Sequence, residues 1–251
     1  ELPANRSIVT LTNARTPGLA GGRNTGILAA TGILVAFCDD DDVWRPTKLR
    51  RQVDLLRQRP DAALAATGIT IITEDGEFPR VGPSWVDHDD FIRSRVTEIH
   101  PSTFVMARRD IIGWGLVDES VPYSYGEDYE LLLRITRHGG VANVTEALTD
   151  IHWNRPSFFA ARWEGIAGGL EYLLRKYPEF RKDRVGRARV RGQIAFAQAA
   201  LGRRRQAIPL ALRTIVDDPR QLRGYAALAV STGAVSAERL VSKVQDRGRG
   251  L

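Results

Sequence analysis

The amino-acid sequence predicts an α/β fold that is followed by a helical region. Two observations support this: short apolar runs alternate with amphipathic segments up to about residue 155, and only helical patterns occur after it. The hydrophobic share of 43% and the charged share of 26% are those of an ordinary globular protein. We therefore expect an α/β domain at residues 1–155 and a basic helical region at residues 156–251.

The strands of the α/β part are predicted from β-branched alternation and from short apolar runs. The run at residues 33–38 ends abruptly at four aspartates, which is typical of a buried parallel strand that ends at the carboxyl edge of a sheet. A turn signal at residues 74–77 predicts a hairpin. The predicted strands cover residues 7–13, 33–38, 62–72, 103–107, 141–144 and 148–153.

The predicted helices follow from the spacing of apolar residues and from residues that begin or end helices. Pro46 suits the first turn of a helix that stops before Pro60, and Gly139 with Gly140 ends the helix that begins at Glu127. Small residues on both sides of a glycine predict one helical hairpin in the C-terminal part. The predicted helices cover residues 24–30, 46–59, 127–137, 158–176, 184–202, 205–216, 219–231 and 236–245.

The cysteine count and the absence of long apolar runs limit the class of protein. The single cysteine, Cys38, cannot form an internal disulfide, which favours a reducing compartment. No apolar run approaches the roughly 18 to 20 residues that span a bilayer, and the N-terminus lacks the pattern of a signal peptide. We expect a cytoplasmic protein that does not cross a membrane.

The charge is distributed unevenly along the chain. Residues 1–154 carry 22 acidic and 16 basic side chains, whereas residues 155–251 carry 8 acidic and 20 basic ones. A basic region of this kind is attracted to phosphate groups, to nucleic acid or to an anionic lipid surface. Nucleic acid is the least favoured of the three, because the arginines of residues 181–205 belong to no helix-turn-helix pattern and to no basic motif interleaved with aromatic residues.

Four consecutive carboxylates, at Asp39, Asp40, Asp41 and Asp42, come directly after the strand predicted at residues 33–38. Ligands of open α/β sheets bind outside the carboxyl ends of the strands, and carboxylates at such density repel one another unless a cation lies between them. The sequence therefore predicts a Mg²⁺ or Mn²⁺ site. The alternative is a solvated acidic loop that caps the next helix.

Four segments together resemble the family 2 glycosyltransferases with the GT-A fold. The first is the strand followed by Asp-x-Asp-Asp-x-Trp-x-Pro-x-x-Leu at residues 39–49, which is similar to the donor-site signature of that family. Residues 18–32 (GLAGGRNTGILAATG) and residues 125–135 (YGEDYELLLRI) resemble two further family segments, and Ser102-Thr103 followed by Arg108-Arg109 resembles the acceptor-side strand. The resemblance covers about residues 5–155. It implies a Rossmann-like, mainly parallel sheet with helices on both faces, and transfer of a sugar from a nucleotide-diphosphate donor.

The resemblance also implies roles for individual residues on the donor side. Asp39 would contact the ribose of the nucleotide, Asp41 would bind the metal that bridges the diphosphate, and His152 would be a third metal ligand. Asp42 would support the loop, and Arg23 would approach the nucleotide or its phosphates. The other donor-side residues are Asp40 and Glu127. The alternatives are that Arg23 is a salt-bridged helix arginine and that His152 is a packed core residue beside Trp153.

Asp128 is the catalytic base that the resemblance implies. An inverting transfer needs one carboxylate that takes the proton of the acceptor hydroxyl while its oxygen attacks the anomeric carbon. A position at a helix N-terminus would keep this carboxylate ionised, because the helix dipole stabilises negative charge there. The alternative is that Glu127 and Asp128 only cap the helix.

Family members usually begin with a βαβ unit that includes an Asp-x-Ser-x-Asp segment, and no such segment precedes the Gly-rich segment of this sequence. This departure leaves two hypotheses open. One is a metal-dependent glycosyltransferase whose acceptor is a glycan, a polysaccharide or a lipid-linked sugar, with the basic tail bound peripherally to an anionic membrane. The other is a truncated, non-catalytic module that binds nucleotide-sugar, anionic polymer or lipid.

Overall fold

The computed structural model describes residues 6–153 and 163–245, which form a mixed β-sheet with helices and a set of C-terminal helices. The strands are β1 (Leu34–Ala36), β2 (Val43–Trp44), β3 (Ala62–Thr73), β4 (Gly76–Arg80), β5 (Trp85–Val86), β6 (Val105–Ala107) and β7 (Gly140–His152). The helices are α1 (Leu19–Ala29), α2 (Lys48–Gln58), α3 (His88–Arg93), α4 (Arg108–Gly113), α5 (Glu127–Ile135), α6 (Trp163–Lys176), α7 (Arg184–Ala200), α8 (Arg204–Asp217), α9 (Leu222–Ser231) and α10 (Ala237–Gln245).

The sheet is mixed in direction, with strand order β1-β6-β3-β7-β2, and β4 and β5 pair with β3 and β7. Among the described strand pairs only β3 and β7 are parallel. The α/β class is confirmed, but the expectation of a mainly parallel sheet is wrong. The reasons are local: β4 follows β3 through a tight hairpin, which requires antiparallel pairing, and β6 inserts antiparallel between β1 and β3.

The strand predicted at residues 7–13 is wrong. These residues have no regular secondary structure and are exposed to solvent, with Ile8 77% and Val9 72% exposed. β-Branched alternation stabilises a strand only where a neighbouring strand and a buried face exist, and no described strand pairs with this segment.

The two short strands predicted at residues 141–144 and 148–153 are one continuous strand, β7. The break that the sequence indicates coincides with an irregularity in pairing: Val144 pairs with Thr67, but the next pair is Ala147 with Gly68. A bulge of this kind lets two polar positions leave the ladder without ending the strand. The prediction thus located the irregularity correctly but misread it as a loop.

The core of the α/β part forms around β3, β6 and α5. Apolar side chains of β3 and β6 are fully buried, among them Leu64 and Met106. Helix α5 buries its Leu131, Leu132 and Ile135, as its amphipathic pattern predicts. Helix α2 packs against β3 and β7. The candidate site lies between the end of β1 and the start of α5.

The five helices predicted in the C-terminal part are confirmed within the described residues, with small shifts at their ends. Helices α7 and α8 form the predicted hairpin, and the alanines at their contact, such as Ala195 and Ala207, are fully buried. Two glycines let α7 and α6 approach the α/β part. A Cβ at Gly186 of α7 would lie 2.0 Å from the Ile92 carbonyl oxygen, and a Cβ at Gly169 of α6 would lie 2.2 Å from the Tyr125 carbonyl oxygen. None of the described helices combines the length and apolar character needed to cross a bilayer.

Candidate functional site

Ser102 holds the aspartate loop that follows β1. Its hydroxyl accepts the backbone N–H of Asp39 (3.0 Å) and donates to the carboxylate of Asp42 (2.5 Å), while its carbonyl accepts the indole N–H of Trp44 (2.7 Å). Asp39 and Asp42 are half-buried as a result, whereas Asp40 and Asp41 are exposed. The family resemblance placed Ser102 on an acceptor-side strand, because nothing in its local pattern shows that it would face the aspartate loop.

Arg23 joins the aspartate loop to the acidic pair at the start of α5. One guanidinium nitrogen lies 2.9 Å from the carboxylate of Asp39 and another lies 2.6 Å from that of Glu127. Its side chain is only 12% exposed. Arg23 is therefore a salt-bridged helix arginine, as the alternative interpretation had it, but both of its partners are residues predicted for the donor side. Asn24 beside it is structural, since its amide bonds with both backbone groups of Val117.

The two acids at the start of α5 have different electrostatic environments. Burial, together with the negative charge of Asp128, raises the pKa of Glu127 to about 7. Burial also acts to raise the pKa of Asp128, but the charge and hydrogen bond of Arg95, 2.6 Å away, outweigh it, so that the pKa of Asp128 is lowered. Gly126, rather than either acid, is the N-cap residue of α5. Asp128 is thus an ionised carboxylate held by one arginine.

Arg95 comes from the loop after α3, a segment to which the sequence analysis assigned no role. The residue after it, Val96, has a positive φ of 45°, which is unfavourable for a β-branched side chain. The pKa of Arg95 is raised, first by the charge of Asp128. No signal in the sequence could have found this residue, since 33 positions separate it from its partner.

The structure brings together one group of side chains that could hold a metal ion. Ligand atoms of Asp39, Asp42 and His100 all lie within 4.8 Å of one another. Carboxylate oxygens are suitable ligands for both Mn²⁺ and Mg²⁺, and Mg²⁺ prefers a ligand set made of oxygen atoms. Burial raises the pKa of Asp42 and lowers that of His100, so a cation between them would relieve the burial of negative charge. The residues present therefore fit a divalent ion.

The two residues predicted as metal ligands from the sequence, Asp41 and His152, are also in contact. The contact is made by the backbone carbonyl oxygen of Asp41 rather than by its carboxylate. The Nδ1 atom of His152 lies 2.8 Å from the carbonyl oxygen of Asp41, and it must donate because a carbonyl oxygen only accepts. Its Nε2 atom then keeps a lone pair, as in most metal-binding histidines. In contrast, Nδ1 of His100 already accepts the backbone N–H of Ser102 at 3.3 Å. The aspartate loop is therefore close to two imidazoles, those of His100 and His152.

A buried lysine supports the aspartate loop from behind. The ammonium group of Lys48 lies 4.1 Å from the ring centre of Trp44 and donates to the amide oxygen of Gln52 (2.8 Å). The amide of Gln52 in turn donates to carbonyl oxygens of Ala65 and Thr103. Burial lowers the pKa of Lys48 to about 8. Both residues occur on the predicted helix after Pro46, where a lysine and a glutamine would ordinarily be read as solvent-facing.

The family model for glycosyl transferase family 2 matches residues 4–113 of this chain. These residues belong to glycosyl transferase family 2. The match contains Arg23, the aspartate loop, His100 and Ser102, whereas Glu127 and Asp128 lie beyond its end. The family resemblance seen in the sequence is therefore confirmed.

Several bacterial glycosyltransferases are similar in sequence to this chain. It is 28% identical over 140 residues to Escherichia coli WfgD, a UDP-Glc:alpha-D-GlcNAc-diphosphoundecaprenol beta-1,3-glucosyltransferase, covering 55% of this chain and 51% of WfgD. It is 37% identical over 83 residues to Bacillus subtilis TuaG, a putative teichuronic acid biosynthesis glycosyltransferase, covering 32% of each chain. The chain thus spans about half the length of WfgD.

The fold of this chain is similar to that of Staphylococcus aureus TarS. The structure of TarS residues 1–349 in complex with UDP-GlcNAc superposes with a TM-score of 0.55 at 14% identity, covering 96% of this chain and 76% of that one. A second structure of TarS 1–349 gives a TM-score of 0.51 at 15% identity, covering 95% of this chain and 74% of that one. The likeness extends beyond the α/β part, because nearly the whole chain is covered.

Proposed function

We propose that the chain carries the donor-binding and catalytic residues of an inverting glycosyltransferase, which moves a sugar from a nucleotide-diphosphate donor to an acceptor hydroxyl. The observation that supports it most directly is the link made by Arg23 between Asp39 of the aspartate loop and Glu127, the neighbour of Asp128. A donor held by the loop and a base at the start of α5 would face the same space. The family match supports the same activity.

In the proposed reaction Asp128 accepts the proton of the acceptor hydroxyl. The hydroxyl oxygen forms a bond to the anomeric carbon, while the bond from that carbon to the diphosphate oxygen breaks and its electron pair leaves with the nucleoside diphosphate. Attack from the face opposite the leaving group inverts the anomeric configuration. Arg95 keeps Asp128 ionised at neutral pH, as a base must be before it accepts a proton.

We further propose that the donor site uses Mg²⁺ or Mn²⁺, which would neutralise charge on the donor diphosphate. Asp41 and His152 are the ligands implied by the family resemblance, and Asp39, Asp42 and His100 are the group that the geometry favours. A diphosphate beside four aspartates would otherwise meet strong repulsion. Arg23 is the cation nearest to the loop, and it is already paired with two carboxylates.

Calorimetry with UDP and GDP, in Mn²⁺ and in EDTA, tests the donor site. We expect binding in Mn²⁺ that becomes much weaker in EDTA. Equal affinity in both would contradict the metal role, and no binding of either nucleotide in Mn²⁺ would contradict the donor site as a whole. If nucleotide binds but no sugar transfer occurs with any acceptor, the non-catalytic binding module becomes the better description.

The variants His100→Ala and His152→Ala decide between the two imidazoles. Replacement of the histidine that binds the metal should abolish the difference in nucleotide affinity between Mn²⁺ and EDTA. The other variant should keep this difference. His138→Ala is a matched control, because that ring stacks on Trp114, at a centroid distance of 4.9 Å, rather than on the loop. Retention of the Mn²⁺ effect in both test variants would leave the metal to carboxylates alone.

The acceptor that we propose is a carbohydrate hydroxyl on a glycan, a polysaccharide or a lipid-linked sugar. The name of WfgD describes an acceptor sugar attached to diphosphoundecaprenol, and that of TuaG describes teichuronic acid biosynthesis. Mass spectrometry of products made from a panel of such acceptors would test the class. Transfer to water alone, with every acceptor inert, would contradict it.

A second candidate function is peripheral attachment to the inner face of the plasma membrane, and the exposed side of α8 supports it. Ile208, Leu212 and Val216 recur every four residues on this helix and are 36%, 51% and 71% exposed. Arg205 and Arg213 on the same helix are exposed as well. Apolar side chains beside cations are the combination that binds an anionic bilayer surface.

The structure changes which arginines could serve this attachment. The sequence favoured Arg181, Lys182, Arg184, Arg187, Arg189, Arg191, Arg203, Arg204 and Arg205. Arg187 and Arg191 are instead paired with Asp217, and Arg203 is paired with Glu164. The candidate membrane surface is therefore the exposed side of α8, rather than the arginines of α7.

Sedimentation with vesicles tests this surface. Wild-type protein should sediment with anionic vesicles at low salt, and Leu212→Ser combined with Val216→Ser should abolish this. Val185→Ser is the control, because Val185 is equally apolar and 45% exposed on α7. Equal sedimentation with neutral and anionic vesicles would refute the proposal, as would concentration-dependent self-association of the wild-type chain that the α8 variant alone removes.

A further inference from the structure

A cavity lies between the segment that precedes the acidic pair and the C-terminal helices. Tyr125 forms the side that belongs to the α/β part, and α6, α7 and α9 form the others. The cavity itself is small, about 30 Å³ in volume, and it is partly open to solvent. Its lining residues are Tyr125, Trp163, Ile166, Gln193, Phe196 and Arg223.

Arg223 is the charged residue of this cavity, and its charge is poorly compensated. One guanidinium nitrogen donates to the side-chain oxygen of Gln221 at 3.1 Å, while the buried Nε has no hydrogen-bond partner among the described residues. No carboxylate of residues 6–153 or 163–245 forms a salt bridge with it. Burial, and then the charge of Arg189, lower the pKa of the guanidinium. A half-buried cation in this state is destabilising unless an anion joins it.

Two further arginines extend the positive charge from the cavity to Asp128. Arg189 donates to the hydroxyl of Tyr129 (2.6 Å) and to the carbonyl of Arg93 (3.2 Å), both of which are uncharged. Arg95 pairs with Asp128. Of the three arginines, only Arg95 forms a salt bridge with a described carboxylate. The excess of positive charge lies beside the proposed base, whereas the aspartate loop on the other side is acidic.

The aromatic side chains of the cavity suit a ligand that carries more than a phosphate. Trp163 and Phe196 pack edge to face at a centroid distance of 5.5 Å, and Tyr125 lines the cavity together with them. Aromatic faces bind sugar rings and apolar chains, and an arginine binds phosphate through charge-assisted hydrogen bonds. The combination fits a phosphate ester of a sugar or of a lipid.

We propose that this cavity is a subsite for a phosphate or diphosphate group of the acceptor, with Arg223 as its cation and Trp163 and Phe196 as its apolar walls. The inference rests on the proposed glycosyltransferase function, because it gives the cavity to the acceptor. It narrows the acceptor to a phosphorylated one, either a lipid-linked sugar diphosphate or a polymer with phosphodiester links. The acceptor hydroxyl would then reach Asp128 from the arginine-rich side.

The binding test uses the full chain in EDTA, so that a metal-bound diphosphate at the aspartate loop does not contribute. The probes are inorganic pyrophosphate, farnesyl diphosphate and glycerol 3-phosphate, measured by calorimetry. Arg223→Gln should weaken the preferred probe about tenfold or more, and Arg223→Lys should weaken it less, because it keeps the charge. Arg175→Gln is the control, since Arg175 is exposed on α6 and does not line the cavity.

Each outcome of the test has a distinct meaning. Preference for farnesyl diphosphate indicates a lipid-linked source, and preference for glycerol 3-phosphate indicates a phosphodiester polymer. Equal affinity of wild type and Arg223→Gln for every probe overturns the subsite, even where UDP still binds in Mn²⁺ and the proposed function stands. Conversely, Arg223-dependent probe binding without any UDP or GDP binding in Mn²⁺ would count against the glycosyltransferase proposal and leave only an anion site.

A folding control keeps the test falsifiable. Because Arg223 lacks a carboxylate partner, Arg223→Gln should melt at the wild-type temperature or above it. A lower melting temperature together with unchanged probe affinity would show that Arg223 is structural and would overturn the proposal. In turnover assays the same variant should raise KM for a phosphorylated acceptor about tenfold or more, with KM for the donor unchanged.

Discussion

The aspartate loop and the arginine-rich side of the candidate site differ in the sign of their uncompensated charge. On the loop, Asp39 and Glu127 share one arginine, Arg23, and Asp42 has no lysine or arginine partner among the described residues. On the other side, Arg95 pairs with Asp128, whereas neither Arg189 nor Arg223 forms a salt bridge with a described carboxylate. In the helical region, by contrast, Arg187 and Arg191 both have a carboxylate partner, Asp217.

This difference shows where charged ligands are missing. A buried or half-buried charge without a partner is unfavourable, so folds ordinarily pair such charges internally, as α7 and α8 do through Asp217. Opposite imbalances on the two sides of one site point to a cation on the loop side and an anion on the arginine side. A metal-bound donor and a phosphorylated acceptor would satisfy both at once.

The largest expected effect is that of Asp128→Asn, the residue between the two sides. We expect turnover to fall by about 10²-fold or more while nucleotide affinity is nearly unchanged, because only the acceptor proton loses its base. Steady-state kinetics and calorimetry on an active form of the protein measure the two quantities. Asp89→Asn, on the exposed side of α3, is the control. Retained turnover would leave Asp128 with a structural role as the partner of Arg95.

The contrast with the paired arginines of the helical region is measured by Asp217→Ala. This change leaves Arg187 and Arg191 without their carboxylate, and we expect the free energy of unfolding to fall by about 2 kcal/mol. Urea unfolding gives the value. Arg223→Gln, which removes an unpaired cation, should show no such loss. If both variants lose equal stability, the distinction between paired and unpaired arginines is wrong.

The effect of Arg95 on the pKa of the proposed base, Asp128, is measured with Arg95→Gln. The charge and hydrogen bond of Arg95 lower the pKa of Asp128, so removal of Arg95 should raise that pKa. A base must be deprotonated to act, so the acid limb of the pH–rate profile should move to higher pH. Arg95→Lys should restore most of the shift. An unmoved acid limb would mean that another group titrates there.

The smallest effect concerns Glu127, whose pKa is raised to about 7 from an ordinary 4.5. The folded state then binds this proton more tightly than the unfolded state, so the contribution to stability is fully present below pH 4.5 and is lost as the pH rises through 7. In Glu127→Gln this contribution is absent. Between pH 5 and pH 8 the unfolding free energy of wild type should therefore decline more than that of Glu127→Gln, by on the order of 1 kcal/mol. Melting temperatures of both proteins at the two pH values check this. Parallel declines would show that Glu127 has an ordinary pKa.

Much of the fold was determined by local sequence patterns. The strand that precedes the four aspartates, the helix that begins at Glu127 and the C-terminal helices all follow from periodicity and from residues that begin or end elements. Such patterns act over a few residues, so they can be read without knowing what packs against them. The segment at residues 7–13 shows the limit of this reading, because its alternation finds no strand to pair with among the described residues.

Only the tertiary structure decided which residues accompany the predicted ones at the site. Ser102 lies 60 positions from Asp42 and Arg95 lies 33 from Asp128, and neither distance leaves a periodic trace in the sequence. The antiparallel insertion of β6 brings the turn at Ser102 against the aspartate loop. The same holds for charge: the arginines of the helical region can be counted in the sequence, but only the packing of α7 on α8 shows that two of them pair with Asp217. Electrostatic compensation depends on distances between side chains far apart in the chain, and those distances are set by packing.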